Sequence, residues 1–90
     1  MSEVIRTVPI TNRRGLHARA SAKFVTLAST LPVEVMVEKD GQSVTARSIM
    51  GLMMLGAAMG DSITIRASGD GAADAVGALA ELVEAKFDEE

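Results

Sequence analysis

The 90-residue chain has no cysteine, tryptophan or tyrosine, and only two phenylalanines, two prolines and one histidine. Without cysteine there is no disulfide scaffold, no thiolate metal site and no cysteine nucleophile, which fits a reducing compartment. So few aromatic rings, with a net charge of −3, argue against a base-stacking platform, and no nucleic-acid partner is expected. No apolar run approaches the roughly 18 residues of a membrane span. Arg6, Arg13 and Arg14 interrupt the region where a signal peptide would lie. The expectation is a cytoplasmic protein without a membrane partner, folded as a single domain over residues 1–90. At this size roughly 60–65% of the unfolded surface can be buried, so Val, Ile, Leu, Met and Ala must fill a small core.

Charge is unevenly placed. Residues 1–24 carry five bases (Arg6, Arg13, Arg14, Arg19, Lys23) and one acid, whereas the remainder carries four bases and eleven acids. A basic N-terminal quarter on an acidic body points to a local anion site.

The punctuation predicts an order of β-α-β-β-α-β-α. Val4 to Ile10 alternates as a strand, and Pro9 puts it at a sheet edge because proline cannot donate to a ladder. A helix is expected from His17 to about Thr30, stopped by Pro32. Val33, Val35 and Val37 alternate as a second strand, and Asp40-Gly41 is a two-residue hairpin signal. Ser48 is a favoured N-cap for a short helix through Leu55. Ile63 and Ile65 mark a fourth strand. A last helix runs from Ala72 to about Phe87, and Asp88-Glu89-Glu90 reads as a solvated tail. Four short strands with interspersed helices suggest an antiparallel sheet covered on one face, an α+β domain.

The sharpest local feature is Asn12-Arg13-Arg14-Gly15-Leu16-His17-Ala18-Arg19. A strand ends, a glycine turn follows, and a helix begins at the only histidine. The first N–H groups of a helix have no intrahelical partner and lie at the positive end of its dipole, which makes an anion site. Arg19 can add a charge-assisted contact to a phosphoryl oxygen. Histidine is among the side chains that form covalent intermediates. His17 as a phosphoryl acceptor competes with the plainer possibility of a half-buried surface histidine, and Arg19 with a solvated arginine. No second His, Cys or compact carboxylate cluster accompanies His17, so no metal is expected, and no cofactor site is read.

The second feature is Ser48-Ile49-Met50-Gly51-Leu52-Met53-Met54-Leu55. Leu52 and Leu55 are three apart and face the core. Ile49, Met50, Met53 and Met54 are too many for one buried face, so some should be exposed as an adaptable contact surface. The alternative is that they complete the core.

These two segments carry a resemblance. Gly15-Leu16-His17-Ala18-Arg19 resembles the active-site segment of the HPr family of histidine phosphocarriers of the bacterial phosphotransferase system. Arg47 to Leu55 resembles that family's second signature, around its regulatory serine. Ile10-Thr11-Asn12 and Phe87-Asp88-Glu89 look closer to the nitrogen-related branch. The resemblance implies an open-faced β-sandwich of four antiparallel strands and three helices with the first strand at an edge. It implies that His17 is phosphorylated on Nδ1 by Enzyme I, which draws on phosphoenolpyruvate, and that Arg19 is the active-site arginine. Ser48 matches the serine modified by HPr kinase/phosphorylase. Ile49, Met50 and Met53 match the apolar surface for Enzyme I and EIIA-type acceptors, with Ala18 and Ala22 assigned to the same contacts. The protein would then be a monomeric carrier with a transient phosphohistidine and not a turnover enzyme. A regulatory module whose partners respond to phosphorylation of His17 or Ser48 is the second reading. One residue departs from the pattern: the family usually has proline after the active-site arginine, and here Ala20 stands there. Alanine is an excellent helix former, so the helix should survive while the donor set around the phosphoryl group is altered.

Overall fold

The computed structural model describes residues 3–89. Its elements are β1 (Glu3–Pro9), α1 (Ala18–Ala28), β2 (Met36–Lys39), β3 (Gln42–Thr45), α2 (Ile49–Met54), β4 (Ser62–Ser68) and α3 (Ala72–Glu84), followed by a tight turn over Lys86–Asp88. The four strands form one sheet in the order β1-β4-β2-β3, and every pairing is antiparallel. β1 is an edge strand, which accommodates Pro9. At the other edge, Asp40 and Gly41 take φ of 51° and 84°, the left-handed pair that lets a two-residue turn match the twist of its strands.

Alternation decides which sheet face is covered. Along β4, Ile63, Ile65 and Ala67 are buried, while Ser62 and Ser68 are exposed and Thr64 and Arg66 partly so. Val8, Ile10 and Val37 join the buried face and pack with Phe24 of α1, Leu52 of α2 and Ala75, Val76, Leu79 and Val83 of α3. The other sheet face is open to water. There Arg66 pairs with Glu38 and Glu3, and Thr7 and Thr64 share a cross-strand hydrogen bond at 3.0 Å. The expected open-faced sandwich, three helices on one face of a four-stranded sheet, is what the chain forms.

Several boundaries differ from the sequence reading. His17 is extended (φ −75°, ψ −179°) and stands as the N-cap of α1, which therefore begins at Ala18. The helix stops at Ala28, and Thr30 N–H and Leu31 N–H close tighter turns to Leu27 and Ala28. Those turns and Pro32 keep the chain curved, so pairing starts at Met36 and not at Val33. Val35 contributes one further rung, its carbonyl accepting from Ala46 N–H at 2.8 Å.

The largest difference is at the C-terminal end. α3 ends at Glu84, and Lys86, Phe87 and Asp88 all have positive φ (58°, 55° and 61°). Three consecutive non-glycine residues in the left-handed region cost about 1–2 kcal/mol each. The turn is held because Phe87 is fully buried and its carbonyl accepts from Lys23 Nζ at 2.7 Å. Burial of a phenylalanine offsets part of that cost, since removing one from a core costs roughly 3–5 kcal/mol. The turn brings Glu89 back onto the start of α1, so this residue is not part of a solvated tail. Glu90 lies outside the described residues.

The loop before α1 is set by a close backbone approach. Gly15 has φ +64°, and a Cβ there would stand 2.3 Å from the Ala57 carbonyl oxygen and 2.8 Å from Ala58 Cα. Next to it, Leu16 N–H donates to that same Ala57 carbonyl at 2.9 Å. Gly15→Ala is therefore expected to destabilise the fold by roughly 2–4 kcal/mol, from strain and overpacking together. Urea unfolding followed by circular dichroism measures this, and an unshifted midpoint would mean that the two loops can separate freely.

Candidate functional site around His17

The site is built where β1 runs into α1. Asn12 is fully buried, and its Nδ2 donates to the Gly15 carbonyl at 2.8 Å, closing the turn that Gly15 makes possible. Leu16 is buried behind the turn. His17 then projects from the N-cap position, with its carbonyl accepting the first helical bond from Ser21 N–H at 2.8 Å. Ser21 is buried and its hydroxyl donates to the Leu16 carbonyl, which fixes the entry angle of the helix.

The hydrogen-bond partners assign the imidazole's proton. Arg19 N–H points to His17 Nδ1 at 3.2 Å. An amide N–H can only donate, so Nδ1 carries the lone pair. The other nitrogen, Nε2, lies against Glu89 Oε2, and an ionised carboxylate can only accept. Both contacts call for the same neutral form, with the proton on Nε2. Glu89 is held in turn by Asn12 Nδ2, which reaches its Oε1 at 3.2 Å. His17 and Glu89 side chains are 21% and 15% exposed, enough for one face of the ring to be reached from solvent.

Around this pair lies an open cleft of about 480 Å³, lined by Arg13, Arg14, His17, Arg19, Lys23, Asp88 and Glu89. The four cations come from the basic N-terminal quarter, where a local anion site was expected. Among the described residues, Arg13, Arg14 and Arg19 form no ion pair, which leaves them available to an anion. No three His, Cys, Asp or Glu side chains gather as a metal site among the described residues.

The carboxylates on this cleft were not anticipated. Burial alone would raise the Glu89 carboxyl. Hydrogen bonds from His17 and Asn12, with the positive charge of Lys23, outweigh it and hold the group below its ordinary value of 4.5. The one sequence signal for this placement is Phe87: a large apolar side chain near the terminus must find the core, and it draws Glu89 with it.

The second segment folds as expected at its start. Ser48 caps α2, its Oγ accepting from Gly51 N–H at 2.9 Å. Leu52 and Leu55 are buried, while Met50 and Met54 are 69% and 72% exposed and Ile49 and Met53 both 42%. Met59, 58% exposed, extends the patch beyond α2. α2 leads through Leu55 and Gly56 into Ala57, whose carbonyl holds Leu16, so patch and cleft share a boundary. Ala18 is exposed in the first turn of α1. Ala22 is half-buried on the same helix. It lines a shallow groove of about 530 Å³ with Leu27 and Leu82, to which α2 contributes no residue.

Comparison with known proteins places this geometry. The family model described as PTS HPr component phosphorylation site matches residues 4–85. The phosphocarrier protein NPr of Shewanella violacea is 42% identical over 99% of this chain and 98% of its own length. The phosphocarrier protein HPr of Neisseria meningitidis is 45% identical over 93% of this chain and 94% of its own. The crystal structure of HPr-C-His from Thermoanaerobacter tengcongensis superposes with a TM-score of 0.89 at 47% identity, covering 100% of this chain and 99% of that one.

The Glu89 contact has a definite pH dependence. A carboxyl held below its ordinary value stabilises the fold above the unfolded-state titration, and that stability is lost as pH falls through the folded value. Glu89→Gln is thus expected to melt below the native protein at neutral pH, with the gap closing in acid below 4.5. Calorimetry across this range is the check, and a gap independent of pH would show that no ionised contact is made.

Proposed function

The chain belongs to the HPr family of phosphotransferase-system phosphocarriers, and from that premise we propose that His17 Nδ1 is the atom that carries the phosphoryl group, received from Enzyme I and passed to an EIIA-type acceptor. The observation that carries this reading is the state of Nδ1. Its lone pair is directed at one backbone amide at a helix N-terminus, inside a cleft with four cationic side chains.

Transfer then has simple bookkeeping. The Nδ1 lone pair forms a bond to phosphorus as the donor's bond to phosphorus breaks, and that electron pair leaves with the donor. Arg19 N–H, released from Nδ1, is free to donate to a phosphoryl oxygen instead. The other unpaired amides of the first turn and the Arg19 guanidinium supply further donors. Nothing has to be created at the moment of reaction, because these groups are already aimed at the place where charge arrives. Passing the group on is the same step reversed, with the acceptor's nucleophile attacking phosphorus. Alanine at position 20 keeps an N–H that proline would lack, so the first turn offers one more donor to the site.

Docking is assigned to the exposed apolar patch of Ile49, Met50 and Met53, extended by Met54 and Met59, with Ala18 at the rim of the cleft. Ala22 contributes through the neighbouring groove beside Leu82. Ser48 at the edge of the patch is the second modification site, open to HPr kinase/phosphorylase in a cell that has one. The carrier works as a single-domain cytoplasmic monomer. A regulatory role, in which partners read the phosphorylation state of His17 or Ser48, uses the same surfaces.

Three outcomes check this. His17→Ala is expected to abolish phosphoenolpyruvate-dependent labelling by Enzyme I, read by intact mass. It should retain the fold at a cost of about 1 kcal/mol for the lost cap, and full labelling of the variant would falsify the assignment. Arg19→Ala is expected to slow transfer roughly 10- to 100-fold, the kinetic value of a charge-assisted contact, while stability changes little. Rapid-quench rates equal to the native protein's would leave Arg19 a bystander. Ser48→Asp places a hydrated charge beside Ile49 and Met50 but keeps a capping oxygen. Its affinity for Enzyme I should fall while circular dichroism and melting stay near native. Native affinity, or weakened binding with loss of helical signal, would remove Ser48 from the docking edge.

A further inference from the structure

An imidazole offers two nitrogens to a phosphoryl donor, and Nε2, farther from the backbone, is the less crowded of them. A carrier that uses Nδ1 needs a reason for Nε2 to be passed over. In this chain the reason is visible. Nε2 faces the Glu89 carboxylate, whose other oxygen is tied by Asn12 Nδ2 at 3.2 Å. Asn12 is itself fully buried and anchored on the Gly15 carbonyl. Glu89 is brought there by the left-handed turn over Lys86–Asp88, a conformation retained because Phe87 is buried and its carbonyl is held by Lys23. Strained backbone that persists because its surroundings over-determine it is a common mark of a positioned functional group.

We propose that Glu89 is the positioning residue of the phosphoryl site: by accepting the Nε2–H of His17 it blocks that nitrogen and presents Nδ1 alone to the donor. The inference rests on phosphoryl transfer through His17 as proposed above, and adds to it the group that selects the nitrogen. The balance is complete without a base. The Nδ1 lone pair makes the bond to phosphorus, the donor departs with the electrons of the broken bond, and Nε2 keeps its proton throughout. The ring becomes a phosphoimidazolium whose positive charge faces the carboxylate. At that stage the Arg19 N–H contact to Nδ1 has been given up, so Glu89 is what holds the ring plane. Return transfer to an acceptor leaves the neutral ring with its proton still on Nε2, ready for another cycle.

The position of the phosphoryl group is read directly by phosphorus NMR, which separates Nδ1- from Nε2-phosphohistidine. Phosphoramidate is the probe, because this small donor needs no partner protein. The native chain is expected to give the Nδ1 product alone. Glu89→Ala should give a mixture containing the Nε2 product, and its Enzyme I-dependent rate should fall roughly 10- to 100-fold. Glu81→Ala, which removes an exposed carboxylate of α3 outside the cleft, controls for net charge and should match the native chain on both counts. Glu89→Ala giving only the Nδ1 product at the native rate would overturn the proposal. A nitrogen-15 spectrum of the unphosphorylated ring separates this from failure of the carrier reading. Loss of the native Nε2–H signal pattern in Glu89→Ala supports positioning even if Enzyme I does not label the native chain, whereas identical ring signals in the two proteins refute it.

Discussion

The contact between two loops, Gly15-Leu16 on one side and Ala57-Ala58 on the other, underlies most of what this molecule can do. The Ala57 carbonyl accepts from Leu16 N–H at 2.9 Å, and only a hydrogen at Cα of Gly15 fits the space beside it. This close approach fixes where β1 releases the chain, where His17 begins α1, and where the segment leaving α2 passes beneath it. The cationic cleft and the apolar patch are neighbours because of it. A wider loop would leave the same residues on the same elements but would separate the imidazole from the apolar patch.

Much of this was legible in the sequence because the signals were local. Pro9 required an edge, Asp40-Gly41 required a tight hairpin, and Ser48 was a cap wherever a helix followed. Gly15 and His17 marked a helix start by turn chemistry alone. The misread boundaries have physical causes that no window of neighbouring residues contains. Val33 has the alternation of a strand, yet pairing begins at Met36 because the turns from Thr30 to Pro32 keep the chain curved. Glu89 looked like part of an acidic tail. Its place beside His17 depends on a contact 72 residues away in sequence, reached through a left-handed turn that three non-glycine residues would not adopt on propensity. Burial of Phe87 and the Lys23 hydrogen bond to its carbonyl together hold that turn.

The cleft balances opposing demands. Arg13, Arg14, Arg19 and Lys23 favour an anion, whereas Asp88 and Glu89 oppose it. A purely cationic basket would hold its cargo too tightly to release it, since a carrier must not stabilise the loaded state far beyond the donor and acceptor states on either side of it. Placing a carboxylate against the far nitrogen of the ring, and not among the donors around Nδ1, moderates the charge without occupying the position proposed for the phosphoryl group.

The footing of the apolar patch has a further consequence, for residence time. α2 has six residues, too few to be stable alone, and it is tied down by Leu52, Leu55 and the Ser48 cap. Its backbone is therefore defined while the side chains of Met50, Met53, Met54 and Met59 stand exposed to water. Each such side chain loses rotamer freedom when a partner covers it, at a cost of about 0.5–1.5 kcal/mol. Four of them cancel a substantial part of the affinity that their buried area would supply. For the docking role proposed for this patch, that cost makes the encounter entropically shallow and favours short residence.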